Sequence, residues 1–390
     1  MASSIPEGSR RRARYGLAAT STAAAAALMS GCAGPSGLPA APNAGHPGVA
    51  VAQATPAYPY APCGNPPVKL EPLDQEFLNQ LAAEGGPPLY DLSYEAAREV
   101  LNKLQSGPVA KLPAEISERT VPGGPTGPVS IRVVRPPGVE GPLPGIVYLH
   151  GGGWILGNAE THDRLVREIA NGARATVIFV NYTPSPEAQF PVPLEQAYTV
   201  AQWVAEHGSE INVDSSRLAI AGDSVGGDMT AAVTLMAKQR GGPTFLQQVL
   251  LYPVVDARFD TPSYNRFAEG CWLTREAMEW FWDAYAPDPA VREQPLASPL
   301  LATVDQLRGL PKALVITDSD VLLDGANAYA EKLRRAGVPV TNRHFGSITH
   351  DFMMLNALAD TESNKAAVAE TTKTLRDALY GEQKSGTRTK

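Results

Sequence analysis

Apolar residues fall into two rhythms along the 390-residue chain. From Leu70 onward, Leu73, Phe77, Leu78 and Leu81 recur at helical spacing. Ser93 to Gln105 sets Ala96, Ala97, Val100, Leu101 and Leu104 behind a good N-cap serine. Two short helices ahead of any strand predict a cap packed on a later core. The rhythm then becomes short β-branched runs alternating with helical stretches. Val129–Val134, Gly145–Leu149, Ala175–Val180, Leu218–Ala221, Val249–Tyr252, Ala313–Ile316 and Val338–Phe345 read as strands. Asp163–Asn171, Pro193–His207, Gly226–Gln239, Leu322–Ala336 and Asn364–Leu379 read as helices. This alternation predicts an α/β protein with a largely parallel sheet covered on both faces. Residues 261–288 interrupt it with Phe267, Trp272, Trp280, Phe281, Trp282 and Tyr285, read as extra helices over the sheet's upper edge.

The stretch ahead of Leu70 has neither rhythm. Arg10–Arg12 and Arg14 precede an Ala-rich run from Tyr15 to Ser30 whose bulky apolar residues are Leu17, Leu28 and Met29. That run falls short of the ~20 residues a spanning helix needs. Residues 1–31 therefore read as a cleaved export signal, and the Arg pair after Ser9 hints at a twin-arginine route. Leu28-Met-Ser-Gly-Cys32 has the small-residue box of a bacterial lipoprotein, with Met29 where leucine is usual. Cys32 is then the lipidated first residue, and the expected location is periplasmic or cell-surface, held to a membrane by that lipid. Residues 32–68, rich in Pro, Ala and Gly, read as a tether, and 69–382 as the folded domain.

Composition adds limits. A chain that is 44% hydrophobic and 19% charged holds enough apolar material for a sizeable core. A net charge of -7 offers no basic footprint for nucleic acid. Loss of the signal's four arginines and one glutamate takes it to about -10. With Cys32 carrying lipid, Cys63 and Cys271 remain as an even pair in an oxidising compartment. A disulfide between them would tie the tether to the domain, though sequence alone does not bring the two together.

In open α/β sheets, sites form beyond the carboxyl ends of strands. After Leu149 comes His150-Gly-Gly-Gly153-Trp154; after Ala221 comes GDSVGG; after Ile316 comes Thr-Asp-Ser-Asp320; after Phe345 comes Gly-Ser-Ile-Thr-His350. A lone G-x-S-x-G is weak, but four strand ends carrying a serine, an aspartate, a histidine and a glycine loop are not. A serine hydroxyl needs a nearby base. A neutral imidazole serves, with a carboxylate on its other nitrogen. Backbone N–H groups of the glycine run and of Val225 can hold an oxyanion. The order Ser224, Asp320, His350 is that of an α/β-hydrolase. Of six histidines, His46 lies in the tether, His207 ends an exposed helix and His344 sits in the last strand. His150 opens the glycine loop and is expected to hold its shape. His162, at a helix start, is expected to cap it or face solvent. Asp318 and Asp324 compete with Asp320, as a turn-former and a helix-start charge. Asp223 is expected to be solvated or locally hydrogen-bonded.

HGGGW, GDSVGG, DVLLD and HDF together resemble the bacterial hormone-sensitive-lipase group of α/β-hydrolases over about Leu70 to Leu379, along with Asn181-Tyr182, Pro186-Glu187 and Thr161-His-Asp163. The resemblance implies an eight-stranded, mostly parallel sheet flanked by helices with an N-terminal helical cap. Residues 70–110 and 261–288 would form the cap. It also implies hydrolysis of short- to medium-chain carboxylic esters through an acyl-enzyme, with no metal and no cofactor. Ser224 would be the nucleophile, Asp320 the orienter and His350 the base. Gly152, Gly153 and Val225 would supply oxyanion N–H groups, with Gly151 shaping the loop. Val225 stands where alanine is usual and is expected to crowd the acyl site. Asp228 often is an asparagine in this group. Asp351 replaces the commoner glycine after the histidine, and Thr317–Asp320 is one residue shorter than usual. Trp272 to Tyr285, with Phe77 and Leu78, are expected to line an acyl pocket or to form cap core. A true lipase, a deacetylase, a peptidase and a non-catalytic small-molecule receptor on the same fold are the rival functions.

Overall fold

The structure is a computed structural model that describes residues 62–381. The signal-type segment, Cys32 and most of the tether lie outside the described residues. Eight strands form one sheet: β1 (Glu115–Gly124), β2 (Gly127–Arg135), β3 (Leu143–Leu149), β4 (Thr176–Asn181), β5 (Val213–Asp223), β6 (Gln247–Leu251), β7 (Lys312–Thr317) and β8 (Val340–His344). Their order is β1-β2-β4-β3-β5-β6-β7-β8. β2 pairs antiparallel with β1 and β4, and every other neighbour is parallel. β3, β6 and most of β4 and β7 are buried, which is why they read as unbroken apolar runs.

The helices are α1 (Pro72–Glu84), α2 (Tyr94–Gln105), α3 (Asp163–Ala173), α4 (Val192–His207), α5 (Val225–Arg240), the short α6 (Pro262–Arg266), α7 (Arg275–Tyr285), the short α8 (Pro289–Arg292) and α9 (Val304–Leu307), α10 (Leu323–Arg335) and α11 (Glu362–Tyr380). α3 packs with α11 over one side of the sheet. α5 and α10 share a core built on Leu235, Leu250, Val315, Tyr329 and Leu333 on the other side, beside α4. Local chemistry starts the cap helices. Ser93 Oγ accepts from Ala96 N at 3.2 Å at the head of α2, and Thr274 Oγ1 from Ala277 N at 3.1 Å at the head of α7.

Two differences from the sequence reading have physical causes. β1 was not expected, because all its residues except Val121 are exposed and it carries no apolar alternation. As an edge strand its polar character suits its place. The tether was expected to run to residue 68, but residues 62–68 are already part of the domain. Cys63 is buried and bonded to Cys271, across 208 residues of sequence. Val68 N donates to Cys63 O at 2.9 Å and Asn65 N to Arg266 O at 2.8 Å.

A covalent link across so long a stretch removes loop entropy from the unfolded chain. Cys63→Ser is expected to lower unfolding free energy by about 2–4 kcal/mol. Denaturant melts of the wild type with and without reductant should show the same loss, and equal midpoints would contradict it.

Candidate active site

The adjacency of β3 and β5 decides where the site forms. It sets the glycine loop after β3 directly beside the turn after β5. Ser224 occupies that turn with φ 55 and ψ −120, as the N-cap of α5. A non-glycine residue there is strained by about 1–3 kcal/mol. Ser224 N donates to Leu251 O at 2.8 Å, and Ser224 O accepts from Gly227 N at 3.0 Å and Val254 N at 3.1 Å. The flanking glycines are required by close approach. A Cβ on Gly226 would stand 1.9 Å from Leu149 O, and one on Gly222 would stand 2.2 Å from Gly226 O.

The strand ends bring the three expected side chains together. His350 Nε2 lies 2.9 Å from Ser224 Oγ, and its Nδ1 lies 2.6 Å from Asp320 Oδ2. Asp320 Oδ1 accepts from Leu322 N at 2.9 Å, which fixes the carboxylate. The shorter Thr317–Asp320 turn therefore still delivers Asp320 to His350. Asp324 lies elsewhere and accepts from Ser263 N at 2.7 Å. Asp318 is not a surface turn-former. It is fully buried, and burial followed by the neighbouring Asp320 pushes its carboxyl well above the usual range.

Asp318, Asp320 and His350 bring ligand-type atoms within 4.8 Å of one another. The 2.6 Å contact between His350 and Asp320 is a hydrogen bond. Two ligands on one zinc ion stand about 3 Å or more apart.

Gly152 and Gly153 have φ of 104° and 62°, so the loop turns in the region that favours glycine. They line the same pocket as Ser224. Among the described residues, the N–H groups of Gly152, Gly153 and Val225 donate to no protein acceptor. Gly151 shapes the loop: a Cβ there would come within 2.5 Å of Asp223 Oδ2 and 3.1 Å of Ser224 Cβ. His150 supports the loop as expected, with Nδ1 2.8 Å from Gly151 O and its ring stacked on Tyr182. Burial keeps His150 neutral, its pKa pushed down to about 3.

Three expectations are corrected. His162 neither caps α3 nor meets solvent. It is fully buried, with Nε2 3.2 Å from Asp223 Oδ2. Asp223 is likewise fully buried and also accepts from Tyr148 Oη at 2.7 Å. Burial opposes its charge, but His162 and Tyr148 outweigh burial and hold its carboxyl below the usual range. Val225 does not crowd the pocket, because its side chain is buried and absent from the lining. Of the residues expected either to line the pocket or to form cap core, Phe77 and Leu78 are core. Phe77 packs behind Trp272, ring centroids 5.6 Å apart, and Tyr285 stacks on Trp154 in the core. The lining comes from Leu89, Val100 and Leu101 of the cap, with Leu156, Trp272, Leu273, Ala277, Phe281 and Asp351.

One supporting residue escaped sequence reasoning. Asp74 of α1 is fully buried and accepts from Thr349 N at 2.8 Å and Thr349 Oγ1 at 3.0 Å. It braces the residue before His350 from 275 positions away, a distance at which no sequence pattern points to it.

Residues 146–354 match the profile of the α/β-hydrolase fold family. The chain belongs to the α/β-hydrolase carboxylesterase family. Carboxylesterase NlhH of Mycobacterium tuberculosis is 36% identical over 261 residues, spanning 66% of this chain and 82% of that protein. An ethyl acetate hydrolase of Pseudomonas putida is 37% identical over 233 residues, spanning 59% and 73%. The crystal structure of a thermostable esterase from Pseudomonas putida superposes with a TM-score of 0.79 at 47% identity, covering 80% of this chain and 99% of that one. The chain is a carboxylic ester hydrolase.

The carboxylates around His350 set a measurable ionisation. Burial lowers its pKa, but Asp351, Asp320 and Asp223 outweigh burial and raise it above the ordinary 6.5. Histidine-selective NMR should find His350 protonating on the high side of 6.5 while His150 stays neutral down to about 3. A His350 midpoint below the ordinary value would contradict this electrostatic account.

Proposed function

We propose that Ser224 is the nucleophile, His350 the general base, and Asp320 the carboxylate that orients and stabilises the imidazole. The observation that carries the reading is the continuous pair of hydrogen bonds, 2.9 Å from Ser224 Oγ to His350 Nε2 and 2.6 Å from His350 Nδ1 to Asp320 Oδ2. Ser224 Oγ attacks the ester carbonyl as Nε2 takes its proton. The carbonyl oxygen becomes an oxyanion facing the N–H groups of Gly152, Gly153 and Val225, each donor worth roughly a hundred- to thousand-fold in rate. The intermediate collapses as Nε2 hands its proton to the leaving alcohol, and an acyl-Ser224 remains. Water, deprotonated by the same nitrogen, releases the acid and restores Ser224.

The substrates are short- to medium-chain carboxylic esters. The apolar lining supports an alkyl acyl chain, and the likeness to an ethyl acetate hydrolase supports a short one. Ser224→Ala should lower kcat on nitrophenyl butyrate by at least about 10³-fold with an unchanged melting temperature. Undiminished turnover would refute the assignment. Nitrophenyl acetate, butyrate, octanoate and palmitate, with nitroacetanilide and emulsified triglyceride beside them, should give highest kcat/KM among the shorter esters. Preference for triglyceride or anilide would move the reading to lipase or peptidase.

We also infer that the chain is exported and lipid-anchored through Cys32. The basic start, the short Ala-rich run and the Leu28–Cys32 box support this. So does the Cys63–Cys271 bond, which suits an oxidising compartment. Palmitate fed to expressing bacteria should label the wild type and not Cys32→Ser; equal labelling would end the idea.

A further inference from the structure

Asp351 follows the base, has φ 63, and is 7% exposed in the wall of the Ser224 pocket. Glycine would fit that backbone with less strain, so the backbone does not call for an aspartate. Its Oδ2 accepts from the Trp272 indole N–H at 3.1 Å. Its Oδ1 lies 3.4 Å from His350 Nε2 and, among the described residues, has no hydrogen-bond donor. Nε2 is the atom that protonates the leaving alcohol, so a group this close to it stands on the alcohol side of the scissile bond. Trp272 and Phe281 line the same pocket and offer aromatic surface beside the carboxylate. A buried carboxylate oxygen without a donor is costly, and an aromatic wall next to it attracts a cation further.

We propose that Asp351, with Trp272 and Phe281, forms a subsite for a positively charged alcohol moiety, so that esters of ammonium-bearing alcohols are preferred and esters of carboxylate-bearing alcohols are rejected. The proposal rests on the reading of Ser224 and His350 as nucleophile and base. The subsite accounts for the one buried oxygen beside the reacting nitrogen that the protein leaves without a donor. A purely supporting carboxylate that only stabilised the His350 imidazolium would change the rate on all esters alike. A charge-selecting one changes their ratio.

Three acetate esters of similar shape separate these roles: acetylcholine, neutral 3,3-dimethylbutyl acetate and anionic 4-acetoxybutanoate. Acid release by the wild-type chain is followed at about pH 8, where the exposed carboxylate of 4-acetoxybutanoate is ionised. We expect kcat/KM about tenfold higher for acetylcholine than for the neutral ester, and about tenfold lower for the anionic one. In Asp351→Asn and Asp351→Gly, both compatible with positive φ, the three values should fall within about threefold of one another. Independently of any variant, choline should inhibit hydrolysis of the neutral ester competitively and 4-hydroxybutanoate should not. Equal wild-type kcat/KM for the three esters, an undiminished ratio in either variant that turns over ester, or equal inhibition by the two alcohols would overturn the subsite alone. Absence of any turnover of the neutral ester by the wild type would instead overturn the esterase reading beneath it.

Discussion

The strained turn at Ser224 is the constraint on which the remaining geometry depends. A serine at φ 55 and ψ −120 is not a local minimum the sequence would choose for itself. It persists because β5 and α5 meet there with almost no room between them. The chain can close only where side chains are missing, at Gly222 and Gly226, which stand against Gly226 O and Leu149 O. The closeness does two things at once. It lifts Oγ out of the strand plane toward His350, and it presses the elbow against the end of β3, where the glycine loop begins. Ser224 and the N–H groups of the glycine loop are thus positioned by one packing contact rather than by two independent loops.

A second layer holds the elbow from behind. Asp223, inside the motif itself, ties β5 to Tyr148 on β3 and to His162 at the start of α3. Because the carboxylate oxygen also lies where a Gly151 side chain would be, it fixes the glycine loop from below. His162 and Asp223 are charged or polar groups deep in apolar surroundings, and each is tolerable there because the other is present. A different balance applies across the pocket. Burial and the neighbouring Asp320 push the Asp318 carboxyl well above its usual range, while Asp320 is engaged by His350 Nδ1 at 2.6 Å. The site is rich in acids, and their environments differ: Asp318 is fully buried, Asp320 is paired with His350, and Asp351 faces the cavity.

The sequence made the fold and the three converging side chains legible because both rest on short-range signals. Buried parallel strands announce themselves as apolar runs such as Gly145–Leu149, and the residue just past each run is where a sheet of this kind delivers chemistry. What stayed hidden lacks a local signature. β1 is a polar edge strand whose pairing with β2 carries no apolar alternation. The burial of His162 is decided by Asp223, far away in sequence, while its own neighbours look like a helix start. Which of the cap aromatics line the pocket and which form core stayed open for a related reason. Aromatic residues near Trp272 share one composition, yet helix α7 turns Phe281 to the cavity and Tyr285 to the stack with Trp154, a distinction of phase that composition does not contain.

The N-terminal segment looked like a lid, and its contacts make it a brace as well. Asp74 on α1 holds Thr349 beside His350, and Glu71 just before α1 accepts from Glu362 N at 2.8 Å at the start of α11. Cys63 is joined to Cys271, the immediate neighbour of Trp272, whose indole holds Asp351 against the other flank of His350. His350 is therefore gripped on both sides by elements that reach back to the first described residues. A lid that only covered substrate could open without consequence for the imidazole. Here α1 and the Cys63 turn hold the residues on either side of His350, so the position of the imidazole depends on the seating of the cap.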